Sequence, residues 1–436
     1  MENISYLYGL FLSSAGISTD SRSIVPGSLF FALKGENFDG NKFASKALES
    51  GAAYAIVDDP EVQQGKNHIL VKDVLYTLQQ LAMYHRKQFN IPVFALTGSN
   101  GKTTTKELIT KVLSVKYNVL STTGNLNNHI GVPLTILKID NTIQAAVIEM
   151  GASAPGEIMT LAKIAQPTAG LVTNVGKAHL LGFGSFEGVM KTKGELYDYI
   201  AQTGGTALYN TDNPITKEMA ASRGNLAAIP YGASISGSRI LETTPQEPYL
   251  RVMMGTGETL NTKIIGSYNI DNILAALAVG ELNKCDRLLS IKAIESYIPS
   301  NNRSQLVKGE NNNLVVDAYN ANPTSMKAAL ENFGSMKTPV KGVVLGDMLE
   351  LGKDSAKEHL EILRMLENMN MEHIFLVGKE FAQAAQGYSY YQKRALITEN
   401  SLQLKDYLDN HKTKGVTYLI KGSRGIRLER IIESLS

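Results

Sequence analysis

The sequence is poor in the residues and segments that mark several classes of protein. It has a single cysteine, Cys285, which excludes an intramolecular disulfide and a cluster of thiolate metal ligands. No apolar run approaches the roughly 18 residues that a membrane-spanning helix requires. The first residues carry an acid, Glu2, and no basic stretch, which argues against a signal peptide. We therefore expect a cytoplasmic protein without stable membrane insertion.

Net charge is also nearly absent, and this limits the choice of partners. The 43 lysines and arginines almost cancel the 41 acids, leaving a formal charge of +2. Such a balance gives no electrostatic reason to expect a nucleic acid as partner. Small anions remain possible ligands, because a local loop can bind them whatever the net charge. The composition, 43% hydrophobic and 19% charged, is that of an ordinary globular protein.

Alternating apolar patterns divide the chain into three blocks, 1–91, 92–304 and 305–436. The first block mixes strands and helices. The second alternates buried strands with helices, which predicts a mostly parallel sheet covered on both faces, followed by antiparallel strands within 238–265. The third block predicts a second doubly wound domain. The predicted strands are 28–33, 52–59, 68–73, 93–96, 145–150, 169–175, 206–210, 314–318, 342–348, 373–378 and 416–422, and the predicted helices include 75–89, 268–284 and 290–298.

A glycine-rich loop, TGSNGKTTTKE at 97–107, follows the strand 93–96 and opens a helix. Gly98 and Gly101 allow a tight turn whose N–H groups can face one anion, and the helix N-terminus adds positive potential. Lys102 can reach the β- and γ-phosphates, and Thr103 can offer its hydroxyl to Mg²⁺. The strict phosphate-loop pattern is not met, since Leu96 stands at its first glycine. Such a loop serves kinases, switches, motors and ligases alike, so it does not name a reaction.

Three further residues could complete a catalytic site, and each has a plainer interpretation. Glu149 ends a predicted strand near the loop, where it can hold Mg²⁺ or be a solvated acid. His179 follows the next strand and is either a second metal ligand or a structural histidine. Lys193 lies on a predicted helix, where a surface position is the default, although a neutral lysine can bind CO₂ as a carbamate. The sequence pattern alone does not decide among these.

The order and spacing of these and other segments resemble the Mur ligase family over nearly the whole chain. The segments that carry this resemblance are TDSR (19–22), FFALKGENFDGNKFA (30–44), the phosphate loop, GNLNNHIGVPLTIL (124–137), EMGAS (149–153), AHLLGFGS (178–185), KTKGE (191–195), GSYNIDNILAALAV (266–279), NNRSQ (301–305), DAYNANPTSM (317–326), LGDMLELG (345–352) and KGSRGIRLE (421–429). His129 and Tyr268 depart from the family pattern, which puts local ligand contacts in doubt.

The resemblance implies a ligase that uses ATP and Mg²⁺ to join D-alanyl-D-alanine to UDP-N-acetylmuramoyl-tripeptide through an acyl phosphate, as a monomer, in peptidoglycan precursor synthesis. Block 1–91 would bind the UDP substrate, 92–304 ATP, and 305–436 would be a Rossmann-like ligase domain. The implied catalytic residues are Lys102, Glu149, His179 and Lys193, and the implied metal ligands are Thr103, Glu149, His179 and carbamoylated Lys193. The implied ATP contacts are Gly98, Ser99, Asn100, Gly101, Lys102, Thr103, Thr104, Asn269, Asn272, Arg303 and Asp317. The implied substrate contacts are Ser21, Arg22, Lys34, Gly35, Asn125, Asn128, Asn320, Asn322, Asp347, Lys421, Ser423 and Arg424.

Several alternatives stay open at this point. Another Mur ligase would add a different amino acid, and a folylpolyglutamate synthase would share the reaction but place its phosphate loop near the N-terminus. A nucleotide switch usually carries a guanine-selective Asn-Lys-x-Asp segment, which we do not expect in this chain, and this argues against that class. A noncatalytic relative would bind the same ligands without reaction. For Asn269 and Asn272, capping of a helix is as good an interpretation as contact with adenine.

Overall fold

Three sheets of mostly parallel strands form the framework of the protein, and each takes its strands from one segment of the chain. The computed structural model describes residues 4–63, 65–244, 247–300 and 302–436. Helices cover the sheets, so the predicted three-part α/β class is confirmed. No helix within the described ranges combines the length and the apolar character needed to cross a membrane.

The first sheet has four parallel strands in the order β1-β2-β5-β6, with a separate β3–β4 hairpin beside it. Leu78 of a long helix packs with Phe31 and Ile56 of the sheet in one core. The strands are β1 (Ile17–Ser18), β2 (Leu29–Phe31), β3 (Lys34–Gly35), β4 (Phe38–Asp39), β5 (Tyr54–Val57) and β6 (His68–Leu70), and the helices are α1 (Ile4–Leu12), α2 (Ala44–Glu49) and α3 (Val74–Arg86).

The second sheet has six parallel strands in the order β12-β11-β10-β7-β9-β8, and a small antiparallel sheet follows it, as predicted. The strands are β7 (Val93–Thr97), β8 (Val119–Ser121), β9 (Ala145–Glu149), β10 (Ala169–Val172), β11 (Thr206–Asn210), β12 (Ala227–Tyr231), β13 (Arg239–Ile240), β14 (Arg251–Met253) and β15 (Thr259–Asn261). The helices are α4 (Lys102–Leu113), α5 (Gly131–Ile136), α6 (Glu157–Ala165), α7 (Leu180–Phe183), α8 (Phe186–Thr203), α9 (Pro214–Ala221), α10 (Ala233–Ser236), α11 (Ile270–Leu282) and α12 (Arg287–Glu295).

Side chains of the second sheet alternate between two apolar cores. Ala95 and Ile148 face the core formed with α6 and α8, while Phe94 and Val147 face the core formed with α4 and α11. This alternation is the two-residue period of a strand, and burial of both faces explains why the strands read as continuous apolar runs. Helix α12 begins earlier than the predicted 290–298, because Asp286 caps it by accepting a hydrogen bond from the N–H of Leu289.

The third sheet has six strands in the order β16-β17-β21-β18-β19-β20, of which only the edge strand β16 runs antiparallel to its neighbour. The last strand along the chain, β21, lies between β17 and β18 near the middle of the sheet. The strands are β16 (Gln305–Lys308), β17 (Asn313–Val316), β18 (Lys341–Gly346), β19 (His373–Val377), β20 (Ala395–Thr398) and β21 (Thr417–Lys421). The helices are α13 (Pro323–Ser335), α14 (Ser355–Glu367), α15 (Lys379–Ala385), α16 (Ser389–Arg394), α17 (Ser401–Asn410) and α18 (Ile432–Leu435).

Arg86 fastens the first segment to the second. Its side chain is only 6% exposed and donates hydrogen bonds to the carbonyls of Phe89, Ile91, Ala165 and Gln166, at 2.6 to 3.4 Å. The last two carbonyls end α6, so the guanidinium satisfies groups that the helix leaves without partners. Burial lowers the pKa of Arg86, yet the side chain stays charged because its ordinary pKa is so high.

Replacing Arg86 by methionine is expected to lower the free energy of unfolding by about 3 kcal/mol, because several buried carbonyls lose their donors. The measurement is the urea midpoint of the first unfolding transition, followed by circular dichroism. Lys87→Met, at the exposed next residue, is the matched control and should change stability by no more than about 0.5 kcal/mol. Equal midpoints for the two variants would contradict the assignment.

Candidate active site

Three neighbouring strands of the second sheet deliver the candidate residues to one edge. Strand β7 lies between β9 and β10, with Leu96 opposite Glu149 and Thr97 opposite Val172. Because parallel strands end at the same edge, the phosphate loop, the end of β9 and the segment after β10 come together there. The sequence order alone places these segments about 50 and 75 residues apart, so the sheet is what makes them neighbours.

The backbone of the phosphate loop explains both of its glycines. Gly98 has φ +148° and Gly101 has φ +77°, in the region that L side chains rarely adopt. A Cβ at Gly98 would also lie 1.9 Å from Oγ1 of Thr173, which leaves no room for any side chain. The loop is held from the β10 side, where the Asn100 carbonyl accepts hydrogen bonds from Thr173 Oγ1 (2.7 Å) and Asn174 Nδ2 (3.0 Å).

Lys102 begins helix α4 and folds back over the loop, where its Nζ donates to the Gly98 carbonyl at 2.7 Å. Burial lowers the pKa of Lys102, the Glu149 carboxylate opposes that change, and Arg303 reinforces it. The first N–H groups of α4 have no partners within the helix. An anion at this end of α4 would therefore meet a cation, free N–H groups and the positive end of the helix dipole.

Glu149 and Thr103 form a set of oxygen ligands suited to Mg²⁺. The Thr103 hydroxyl donates to Glu149 Oε2 at 2.9 Å, and Asn127 Nδ2 donates to the other carboxylate oxygen at 2.8 Å. Glu149 is 2% exposed, yet it lines a cavity, so its carboxylate has one open direction. A hydroxyl beside a carboxylate at a phosphate loop is the donor chemistry that Mg²⁺ prefers, and these residues fit that ion.

Asn269 and Asn272 link helix α11 to the phosphate-loop helix. Asn272 Oδ1 accepts from Thr105 of α4 at 2.9 Å, and its Nδ2 donates to Asn269 Oδ1 at 2.7 Å. Asn269 stands at the N-cap position of α11, but its side chain makes no capping hydrogen bond. The capping interpretation is therefore not supported for Asn269. Both asparagines line the cavity, and Asn272 lies beside Gly101.

The third segment supplies the opposite wall. Asp317 follows β17 and its carboxylate accepts from Lys421 Nζ at 2.6 Å, since Lys421 ends the adjacent strand β21. Asn322 donates to Oδ1 of Asn100 in the phosphate loop at 2.7 Å, and its own Oδ1 caps α13. The capping box therefore fixes the residue that brings this segment onto the loop.

A cavity of about 940 Å³ separates the loop from this wall, large enough for a nucleotide with part of a second substrate. Sixteen of the sequence-predicted site residues line it: Ser99, Asn100, Gly101, Lys102, Thr103, Thr104, Asn128, Glu149, His179, Asn269, Asn272, Arg303, Asp317, Asn320, Asn322 and Lys421. Residues that sequence reasoning did not select also line it, among them Asn127, Glu157 and Tyr319. Asn127 lies within GNLNNHIGVPLTIL (124–137), one of the segments that carry the family resemblance. The segment therefore pointed to this part of the site, although nothing in the sequence singled out Asn127 itself.

His179 lines the same cavity as Glu149 but is engaged by the third segment. Its Nδ1 lies 2.5 Å from Glu350 Oε2. A second ion pair between the same two segments joins Lys177 Nζ to Glu358 Oε1, also at 2.5 Å. Burial lowers the pKa of His179, and the Glu350 carboxylate opposes this. Within the described residues, no three acids, histidines or cysteines converge closely enough to hold a metal ion. The second metal site therefore stays a prediction.

Lys193 lies on α8 and is buried. The surface position that its residue type alone predicts is therefore wrong. Lys193 is 2% exposed, its Nζ lies 5.3 Å from the centre of the Phe183 ring, and its one recorded hydrogen bond reaches the Ala152 carbonyl at 3.5 Å. Burial, reinforced by Lys102 and opposed by Glu157 and Glu195, lowers the pKa of Lys193 to about 7. A lysine in this state is neutral often enough to react with CO₂.

The remaining predicted contacts lie outside this cavity: Ser21, Arg22, Lys34, Gly35, Gly98, Asn125, Lys193, Asp347, Ser423 and Arg424. No described residue between 4 and 91 lines it, so the first segment would have to bind its ligand elsewhere. Lys34 pairs with Asp58 at 2.8 Å, and Arg22 pairs with Asp20 at 2.7 Å.

Two of these residues are bonded within the third segment itself. The carboxylate of Asp347 accepts from the N–H groups of Glu380 and Phe381 at 3.0 and 2.9 Å, and Ser423 accepts from the N–H of Leu349 at 2.9 Å. Both side chains are buried, so the contacts that the structure shows for them are structural.

The expectation that the chain lacks an Asn-Lys-x-Asp segment is wrong, because these residue types occur at 283–286, although none of the four lines the cavity at the phosphate loop. Asn283 ends α11, where its Nδ2 donates to the Val279 carbonyl, and it lines a smaller cavity at the opposite edge of the second sheet, where the strands begin. Asp286 caps α12. The contacts of this segment are therefore structural, and it does not support a guanine-selective site at the phosphate loop.

Comparison with known proteins shows which family the chain resembles. Models described as "Mur ligase family, catalytic domain", "Mur ligase middle domain" and "Mur ligase, glutamate ligase domain" match residues 14–94, 96–280 and 302–424. The UDP-N-acetylmuramoyl-tripeptide–D-alanyl-D-alanine ligase of Bacillus subtilis (strain 168) is 35% identical, over 96% of this chain and 93% of its own length. The chain belongs to the Mur ligase family. The corresponding Mur ligase of Escherichia coli (strain K12) is 34% identical, over 98% of this chain and 95% of its own.

Solved Mur ligase structures agree with the fold. MurF from Acinetobacter baumannii superposes with a TM-score of 0.86 at 32% identity, covering 96% of this chain and 92% of the other. MurF ligase from Thermotoga maritima, solved in complex with ADP, has a TM-score of 0.85 at 27% identity and covers 100% of this chain and 98% of the other. The family resemblance inferred from the motifs is therefore confirmed over the whole chain.

Proposed function

We propose that this Mur ligase joins D-alanyl-D-alanine to UDP-N-acetylmuramoyl-tripeptide at the expense of ATP, which makes the pentapeptide precursor of peptidoglycan. The observation that carries the proposal is a single cavity in which the phosphate loop faces the Asp317–Lys421 pair of the third segment. Relatives at 34 and 35% identity named for this reaction, and the ADP bound to the Thermotoga relative, support it. Since a nucleotide sugar and ATP are cytoplasmic metabolites, we place the enzyme in the cytoplasm.

An amine cannot displace oxide from a carboxylate, because oxide is a very poor leaving group. The carboxylate must first become an acyl phosphate, from which phosphate can leave. An oxygen of the substrate carboxylate attacks the γ-phosphorus and ADP leaves, which gives an acyl phosphate. The amine of D-alanyl-D-alanine then attacks the carbonyl carbon, loses a proton, and phosphate leaves with the former carboxylate oxygen. Both steps bring anions together, so positioning and neutralisation of charge are what the protein must provide.

The residues of the cavity match this requirement. Lys102 and the N-terminus of α4 would hold the phosphates, and Arg303 would approach them from the end of the second segment. Thr103 and Glu149 would hold Mg²⁺, which when bound neutralises charge between the phosphates. Asp317, fixed by Lys421, would accept hydrogen bonds from the ribose. The first segment, through Ser21, Arg22, Lys34 and Gly35, would bind the UDP portion, and a monomer would contain every part of this site.

The test is product analysis after incubation with ATP, Mg²⁺, D-alanyl-D-alanine and, separately, UDP-tripeptides ending in meso-diaminopimelate or lysine. We expect a UDP-pentapeptide, ADP and phosphate by mass spectrometry, dependent on both substrates. With heavy oxygen in the substrate carboxylate, one labelled oxygen should appear in the released phosphate. Formation of AMP and pyrophosphate would exclude the acyl phosphate, and nucleotide binding without product would leave a noncatalytic relative.

A further inference from the structure

Arg303 occupies an unusual backbone position. Its two neighbours, Asn302 and Ser304, have φ values of +57° and +46°, although neither is glycine. Left-handed backbone at such residues costs on the order of 1 kcal/mol and persists only where the surroundings hold it. Here Ser304 is held, because its carbonyl accepts from the N–H of Ile265 at 3.2 Å and its hydroxyl contacts Asn269 at 3.3 Å. The chain therefore leaves the second segment along a fixed path, with Arg303 at its bend.

The guanidinium of Arg303 lies over the face of an aromatic ring that belongs to the third segment. Its Cζ is 3.5 Å from the centre of the Tyr319 ring, within the distance of direct stacking. Tyr319 follows strand β17 and lines the same cavity as Arg303. The Nε of Arg303 is buried and has no hydrogen-bond partner among the described residues. The Tyr319 ring is thus the contact through which the structure fixes the orientation of this guanidinium.

A guanidinium that contacts a ring through its flat face keeps the N–H groups at its edge free for hydrogen bonds. Such an arrangement can offer two parallel hydrogen bonds to a phosphate, while the aromatic face fixes the plane from which they come. A second guanidinium, that of Arg424, lies 5.4 Å from the centre of the same ring. Tyr319 therefore contacts two cations from different loops, and of these Arg303 lines the cavity.

We propose that Tyr319 is a positioning residue that orients Arg303 toward the triphosphate of ATP. The inference rests on the proposed function for the identity of the anion. It goes further in assigning the task to an aromatic face rather than to a hydrogen bond, because the structure records no hydrogen bond from the described Tyr319 hydroxyl. The ring and the arginine belong to different segments. Contact between the second and third segments would therefore fix the orientation of the Arg303 side chain.

The kinetic test compares Tyr319→Phe with Tyr319→Leu. Phenylalanine keeps the ring, so the KM for ATP should stay within about twofold of wild type, whereas leucine should raise it about tenfold, in keeping with the strength of a partly buried cation–π contact. The KM for D-alanyl-D-alanine should not follow. Tyr390→Leu is the matched control, because Tyr390 also lies under an arginine, Arg394, but outside the cavity.

A double-mutant cycle separates positioning from other effects. If Tyr319 acts through Arg303, Tyr319→Leu should add little to Arg303→Met, and the double variant should match Arg303→Met within about twofold. Additive losses would overturn the proposal. So would equal losses in the phenylalanine and leucine variants, because the hydroxyl rather than the ring would then be responsible.

A spectroscopic readout does not depend on turnover. A proton above a ring face is shifted upfield, so the Nε–H signal of Arg303, assigned by its loss in Arg303→Met, should be upfield in the wild-type and phenylalanine spectra of nitrogen-labelled protein. It should return to the ordinary region in Tyr319→Leu. An unshifted wild-type signal would refute the stack even if the ligase product forms. A shifted signal, together with weaker binding of a nonhydrolysable ATP analogue by Tyr319→Leu, would support the proposal even if the product does not form.

Discussion

Replacing Lys102 by methionine is expected to lower kcat by about a thousandfold, the size of effect found when one preorganised charge is removed from a developing anion. Methionine is close in length to lysine, so the loop should keep its shape while losing the cation that lies against the Gly98 carbonyl. The measurement is phosphate release at saturating substrates, with ATP binding followed by calorimetry. A kcat within tenfold of wild type would show that this lysine does not act on the phosphates.

The control for this variant is Lys111→Met, which lies on the same helix near its far end and is exposed. It makes the same change of side chain and the same change of net charge, so it removes any long-range effect of charge from the comparison. We expect wild-type kcat for Lys111→Met. The melting temperatures of the two variants should differ by only a few degrees, which would exclude unfolding as the cause of the loss.

Lys193→Met is expected to be similarly inactive, for a different reason. The family resemblance implies that the amine of Lys193 attacks the carbon of CO₂ and loses a proton, which would give a carbamate whose oxygens could bind a metal ion. Wild-type enzyme in CO₂-depleted buffer should therefore lose most of its activity and regain it on addition of bicarbonate, and labelled CO₂ should give a carbamate carbon signal. The exposed Lys191→Met on the same helix is the control. Activity that is indifferent to CO₂ would contradict the carbamate.

The pH dependence follows from the lowered pKa of Lys193, about 7 against 10.5 for an ordinary lysine. Below pH 7 the folded protein carries the protonated amine, which cannot attack CO₂, so activity should fall about tenfold per pH unit. Between pH 7 and 10.5 the unfolded chain binds the proton and the folded chain does not, so the contribution of this group to stability becomes more favourable as pH rises across that window. The measurement is kcat against pH at fixed dissolved CO₂, and the low residual activity of Lys193→Met is expected to show no such step.

Local pattern was enough for much of the framework. The runs at 93–96 and 206–210 became strands β7 and β11 almost without change, because a buried parallel strand needs apolar residues on both faces. Element ends were less certain. The strand predicted at 169–175 stops at Val172, since the residues after it turn to hold the phosphate loop. Helix ends likewise depended on capping side chains whose contacts the sequence does not display.

The sequence by itself determined the phosphate loop, the α/β class and the family, because glycine spacing, apolar period and motif order are all properties of the chain read in one direction. Only the tertiary structure decided that Lys193 is buried, that His179 contacts Glu350, and that the described residues of the N-terminal segment do not line the cavity. These three features depend on how segments far apart in the sequence pack against one another, and local patterns do not encode that packing. The stacking of Tyr319 on Arg303 is of the same kind, since it joins side chains from two segments across a bend that no periodicity encodes.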